Sequence, residues 1–158
     1  MERQTVPEPS PVPEVDPQKS FAGEVTVYVR SSAPDVARER QRRTLERIEQ
    51  LANAGAVNSV EIVQWQNKVS EPVDGPKPDA LEWYDEFVEA VGEQSLEPFF
   101  EARSGVGRLD RVIVLPVICI AARRDTDLVG VYPRWNDGVH ESIEDALDRL
   151  TDGTIENA

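Results

Sequence analysis

The chain has 158 residues, with 30 Asp and Glu against 17 Lys and Arg and a formal net charge of −13; this length suits one domain. One cysteine, Cys119, excludes an internal disulfide, and one histidine, His140, leaves a histidine-built metal site or a Ser/His/Asp triad almost nothing to rest on. The longest apolar run, Val112 to Ala122, is far shorter than the roughly 20 residues of a membrane span, and residues 1–20 lack the apolar stretch of a signal peptide.

A cytoplasmic protein without membrane contact is therefore expected. Among the basic residues only Lys19, Lys68 and Lys77 are Lys; the rest are Arg. Strong acidity is self-repelling in dilute buffer, but at molar salt the Debye length falls to about 3 Å and the repulsion is screened. Acidity with scarce Lys thus reads as adaptation to a salty, halophile cytoplasm.

Residues 1–20 hold five of the twelve prolines and little that can be buried, so a disordered, solubilising tail is expected. A single α/β domain over 21–152 and a frayed end over 153–158 follow. FAGEVTVYVR alternates, with Val25, Val27 and Val29 on one face and Thr26, Tyr28 and Arg30 on the other, which predicts a first strand. Ser31-Ser32-Ala33-Pro34 opens a helix to about Asn53, with Pro34 in its first turn and Leu45, Ile48, Leu51 and Ala52 as its buried stripe. Gly55 ends it. VNSVEIVQW is a second strand, and KVSEPVDGPKPD is a loop.

Asp79 is expected to cap a second helix in a capping box with Glu82. Leu81, Tyr84, Val88 and Val91 form its stripe, and Gly92 stops it. SLEPFFEAR reads as a short strand on its sheet-forming residues, and SGVGRLD as a turn. RVIVLPVICIAA has no alternation and predicts a central strand buried on both faces. Arg123 to Asp127 forms a hairpin loop with LVGVYPRW as partner strand. Ser142 caps a last helix with the stripe Ile143, Ala146, Leu147 and Leu150. The predicted order is β-α-β-α-β-β-β-α.

VTVYVRSSAPDVARER resembles the opening of a thioredoxin or glutaredoxin-like domain, where a strand ends at a C-P-x-C motif on the N-terminus of the first helix. The matching residues are Ala33-Pro34-Asp35-Val36, with neither cysteine present. LPVICI, the following hairpin and the capped last helix are similar to the later half of that family, where a cis-proline precedes a core strand; Pro116 takes that place. The resemblance implies a thioredoxin-like sheet with helices on both faces. A ferredoxin-like α+β sandwich is the other architecture considered. Thiol exchange needs a thiolate at the helix N-terminus, so the redox chemistry does not carry over. What the resemblance leaves is a groove of Ser32, Ala33, Pro34, Asp35, Val36 and Pro116 that suits an extended peptide or a small anion.

Trp65 to Val69, Leu96 to Phe100 and Leu115 to Val117 also resemble segments of small haloarchaeal proteins known as helix-turn-helix domain proteins, which implies DNA binding. The residues that could support it are Arg38, Arg40, Arg42, Arg43 and Arg47 of the first helix. Their competing role is a solvated face laced with pairs such as Glu39 with Arg42 and Arg43. The one tight helix-turn-helix candidate is 79–91 followed by LEPFFEAR, a poor groove reader with Pro98 inside it. Trp65 with Lys68 could anchor a partner, although an aromatic at a strand end is more often core edge. Trp83 is expected to pack.

Asp125 and Asp127 are too few for a calcium cage, and Gly105-Val106-Gly107 lacks the rest of a phosphate loop. No catalytic residue, metal ligand or cofactor is expected. The expected function is a non-catalytic binding or regulatory module, followed by a DNA-binding regulator and then a small-ligand sensor. Partners are a protein or DNA, and a homodimer through an edge strand at 96–103 is possible on exposure grounds.

Overall fold

A computed structural model describes residues 21–155 except 73, 98 and 105–108, and only the backbone of 104, 109 and 110. The chain runs β1 (Glu24–Arg30), α1 (Asp35–Asn53), β2 (Ser59–Trp65), β3 (Lys68–Pro72), α2 (Asp79–Val91), α3 (Glu93–Leu96), β4 (Glu101–Ser104), β5 (Leu109–Val114), β6 (Ile118–Arg124), β7 (Asp127–Tyr132), β8 (Arg134–Asn136), β9 (Val139–Glu141) and α4 (Ile143–Asp152). The expected tail at 1–20 and the last three residues lie outside the described residues.

The fold is α/β. Its main sheet has the order β2-β1-β6-β7, with β1 and β2 parallel and β6 antiparallel to both of its neighbours. In a ferredoxin-like split β-α-β unit a further strand separates the parallel pair; here β1 and β2 are direct neighbours. The period-two alternation of β1 divides the interior. Val25, Val27 and Val29 join Ile118, Ile120 and Ala122 of β6 against Ile48 and Leu51 of α1 and Ile143, Ala146, Leu147 and Leu150 of α4. Tyr28, Cys119, Ala121 and Val131 point the other way, into a second core with Leu81, Tyr84 and Phe87 of α2 and Leu96, Phe100, Ile113 and Leu115. Helices therefore cover both faces of the sheet.

Several expected elements change. The apolar run 111–122 is two strands in two sheets, because Leu115-Pro116-Val117 breaks it; β6 is the central, doubly buried strand, whereas β5 sits between β3 and β4 in a second sheet. Pro116 has no N–H to give to a continuous ladder. The expected loop after Trp65 begins with β3. The segment 96–103 is not one edge strand: Leu96 closes the short α3, and β4 starts only at Glu101.

Asp79 does not cap α2; Pro78 occupies the N-cap without a side-chain bond, and Asp79 is the first helical residue. Pro34 likewise is the N-cap of α1 and not part of its first turn. The expected partner strand LVGVYPRW ends at Tyr132, and β8 and β9 form a separate hairpin turned by Asp137 and Gly138, both at positive φ. The cap of α4 is as expected: Ser142 Oγ accepts from Asp145 N and the Asp145 carboxylate accepts from Ser142 N. The chain stays anchored past the expected limit at 152, since Ile155 is buried and its carbonyl accepts from Arg124.

Candidate functional site

The candidate site lies where β1 and β2 end, α1 begins and the 115–117 corner passes. Strand ends of this kind, at the edge of a crossover helix, are where open α/β sheets hold ligands. Arg30 N donates to Val117 O at 2.9 Å, and Ser31 N donates to Trp65 O at 2.9 Å. The Arg30 guanidinium reaches Leu115 O (3.2 Å) and Ser32 O (3.2 Å). The Trp65 indole N–H donates to Pro116 O at 3.1 Å. Ser32, Ala33, Pro34, Asp35, Val36 and Pro116 are thus brought to one end of the sheet. Val36 stands 84% exposed at the helix start.

Gln41 organises this corner, and the sequence reading missed it. It lies on the inner face of α1, nearly buried, and its amide donates to both Arg30 O (3.1 Å) and Val117 O (2.8 Å). An amide with two donors on one nitrogen can bridge two carbonyls at once. Its only sequence signal is its place one turn before Thr44 and Leu45 on the stripe. The Leu115–Pro116 bond is trans, unlike the cis bond that the thioredoxin resemblance implies at that place; the cis peptide among the described residues precedes Pro133. Beside the corner, a cleft of about 240 Å³ is lined by Gln64, Trp65, Gln66, Val69, Pro78, Ala80, Trp83 and Leu115.

Trp65 is buried, stacked on Tyr28 at 4.8 Å between ring centroids, so it packs as core edge and only its cleft side can meet a partner. Trp83 packs on the same tyrosine at 5.1 Å. Burial, opposed by Arg123, pushes the Tyr28 phenol up to about 12, which keeps it neutral. Lys68 is exposed on β3, and no carboxylate lies within ion-pair distance among the described residues.

The α1 arginines are largely engaged. Arg42 pairs with Glu39 and with Glu46 (2.6 Å) on its own helix. Arg40 reaches Glu144 at 3.5 Å and Arg47 reaches Asp148 at 2.7 Å, both on α4. Arg38 donates to Ala33 O. The expected pair of Glu39 with Arg43 is absent; Arg43 is the one exposed α1 arginine without such a partner among the described residues. Helix packing causes this pattern, because α1 and α4 lie side by side over the first core and face each other with opposite charges.

No cluster of His, Cys, Asp and Glu among the described residues could hold a metal, and none of their helices is long and apolar enough to cross a membrane. Asp125 and Asp127 serve the β6–β7 turn. Cys119 is fully buried in the second core, and burial pushes its thiol far above its ordinary range. A buried neutral thiol is a poor nucleophile. Native protein is expected to leave Ellman's reagent unreacted, with one thiol titrating after unfolding in urea; rapid reaction of folded protein would contradict the burial.

The one tight helix-turn-helix candidate, expected to be a poor groove reader, has a short second helix. After α2, Gly92 turns the chain at φ 91° into α3, which is four residues long, about 6 Å of helix. The residues offered as its recognition helix, 96–103, mostly follow it. A second group unseen in the sequence lies beyond: Trp135 and His140 of the β8–β9 hairpin with Phe99, whose ring stacks on His140 at 4.9 Å. The Asp-Gly turn was its signal, masked because residues 128–135 read as one strand.

A family model described as a helix-turn-helix domain matches residues 18–154 of the chain. No curated protein and no solved structure matches it.

Proposed function

The chain belongs to the helix-turn-helix domain family, and from that premise we propose that this member is a non-catalytic, thioredoxin-like module, without the C-P-x-C cysteines, that binds a protein partner in a salty cytoplasm. The observation that carries the reading is the sheet order β2-β1-β6-β7 with β6 reversed, together with Ala33-Pro34-Asp35-Val36 at the start of α1. In a thioredoxin-like domain the third of four strands is the reversed one, and the redox motif sits at that helix start. Helices on both faces support the same reading. The carbonyls of the 115–117 corner are held internally by Arg30, Gln41 and Trp65, which suits a rigid docking surface.

DNA binding is the second reading, favoured by the family description and by exposed Arg43. Against it stand the four-residue α3 and the pairing of Arg40, Arg42 and Arg47 with carboxylates. Two measurements in molar KCl separate the readings. The purified protein is expected to show no disulfide reductase activity and no sequence-selective complex with genomic fragments. Turnover of a disulfide substrate would sink the first reading. A selective complex weakened by Arg40→Glu with Arg43→Glu would replace it with the second.

A further inference from the structure

We propose that the proline-rich segment 9–13 of this chain docks in the cleft of Trp65 and Trp83, folding back along β1 to reach it. The cleft, about 240 Å³, lies where the end of β2, the start of β3 and the start of α2 meet. Its walls are ring and aliphatic surface from Trp65, Val69, Pro78, Trp83 and Leu115. Gln64 and Gln66 line it and are exposed, and neither their amides nor the Trp83 indole N–H has a hydrogen-bond partner among the described residues. The cleft therefore offers apolar rings beside unused N–H donors, and no charge.

Such a surface suits backbone with carbonyls to share and few N–H groups of its own. In residues 6–13, Val-Pro-Glu-Pro-Ser-Pro-Val-Pro, every residue is a proline or precedes one. Proline fixes its own φ, lacks an N–H and pushes the residue before it to extended or polyproline II backbone. A segment restricted in this way loses little entropy on docking, which is how aromatic-lined grooves hold proline-rich chains. Residues 9–13 are uncharged, as the cleft is, and Glu8 and Glu14 flank them. Two other grooves among the described residues repel that pair of carboxylates: Glu46 and Glu49 rim one between α1 and β2, and Glu86, Glu89 and Asp127 rim one between α2 and β7. The reach is sufficient. β1 has seven residues, about 23 Å of strand, and the eleven steps from Phe21 back to Ser10 span about 34 Å as polyproline II. Tethering favours the chain's own segment over a free peptide, because a short linker gives an effective concentration of about a millimolar. Docking here is independent of what the 115–117 corner binds, although a partner that needs the cleft must displace the segment.

Disulfide trapping in the full chain in molar KCl tests the docking. Ser10→Cys with Gln66→Cys is expected to close an intramolecular disulfide under mild oxidation, at a rate independent of protein concentration. Cys119 is buried and does not compete. Ser10→Cys with Glu49→Cys is the control. Phe21 N donates to Ala56 O just beyond the end of α1, so exposed Glu49 lies nearer to Phe21 than Gln66 does. The control is nonetheless expected to close about tenfold more slowly. Pro9→Gly, Pro11→Gly and Pro13→Gly together loosen the free segment and remove its rings, and are expected to slow the 10–66 closure about tenfold as well. Equal closure at 49 and 66, or a rate unchanged by the three glycines, overturns the docking. So does a rate that rises with protein concentration, since the segment then comes from a second copy of the chain.

Discussion

Arg134→Ala is expected to remove about 3–5 kcal/mol of folding stability, which for a domain of this size lowers the melting temperature by roughly 10 °C or more. Arg134 and Glu141 are 4% and 5% exposed, and their Nε–Oε1 bond is 2.9 Å. The other carboxylate oxygen accepts from Arg149 at 3.0 Å and Asn136 at 3.3 Å. The guanidinium of Arg134 lies over the Tyr132 ring, 5.0 Å from its centre. Truncating the arginine leaves a buried carboxylate with fewer partners, which costs more than the pair contributes. Replacing both partners, Arg134→Met with Glu141→Leu, is therefore expected to cost much less than either single change. Denaturant unfolding of the three variants tests this; additive losses would refute the coupling.

The same carboxylate makes stability fall in acid. Burial alone would raise the Glu141 pKa, but hydrogen bonds from Arg149 and Arg134 outweigh it and hold the group below its ordinary value. Asp85 is lowered in the same way, burial being outweighed by Arg111 and Lys77. A depressed folded-state pKa stabilises fully above the unfolded value and is lost as pH falls through the folded one. Unfolding free energy is thus expected to hold from neutrality down to about pH 5 and to fall below about pH 4. Glu141→Gln flattens that fall.

Phe100→Ala is expected to cost about 3–5 kcal/mol. Its ring is fully buried and meets Trp65 at 6.0 Å, Tyr84 at 5.6 Å and Phe87 at 5.9 Å, between ring centroids. It joins α2 to the end of β2, so the cavity left behind also loosens the support of the candidate site. Urea unfolding measures the loss, and in a Trp83→Phe, Trp135→Phe background the change in Trp65 emission reports the site. A loss below about 1 kcal/mol would mean that the aromatic cluster collapses around the gap.

The family description and the geometry pull apart at one place. A helix that enters the major groove needs length and cations on its outer face. α3 is one turn with Glu93 in it, and the arginines of α1 are spent largely on Glu39, Glu46, Glu144 and Asp148. Whatever binds this domain meets a surface whose charge is mostly acidic and whose α1 cations are largely held, Arg43 excepted.

The sequence by itself determined the periodic elements. Valines alternating in β1, the 3.6-residue stripes of α1 and α4, and the Ser142 cap are local patterns, each requiring only that one face be buried. It also placed the tetrapeptide Ala33 to Val36 at a helix start, because a proline after a strand can begin no other element so easily. Tertiary structure decided the rest. Pro116 in the apolar run was the legible sign of a break, having no N–H for the ladder, but only the fold shows that its carbonyl and those of its two neighbours find Trp65, Arg30 and Gln41 far along the chain. The roles of Gln41 and of the arginines facing α4 are non-local, and the hairpin pair Arg134–Glu141 is buried only by what packs on it. A polar side chain becomes a brace, a core ion pair or a free contact according to what packs beside it, and packing is settled by the fold.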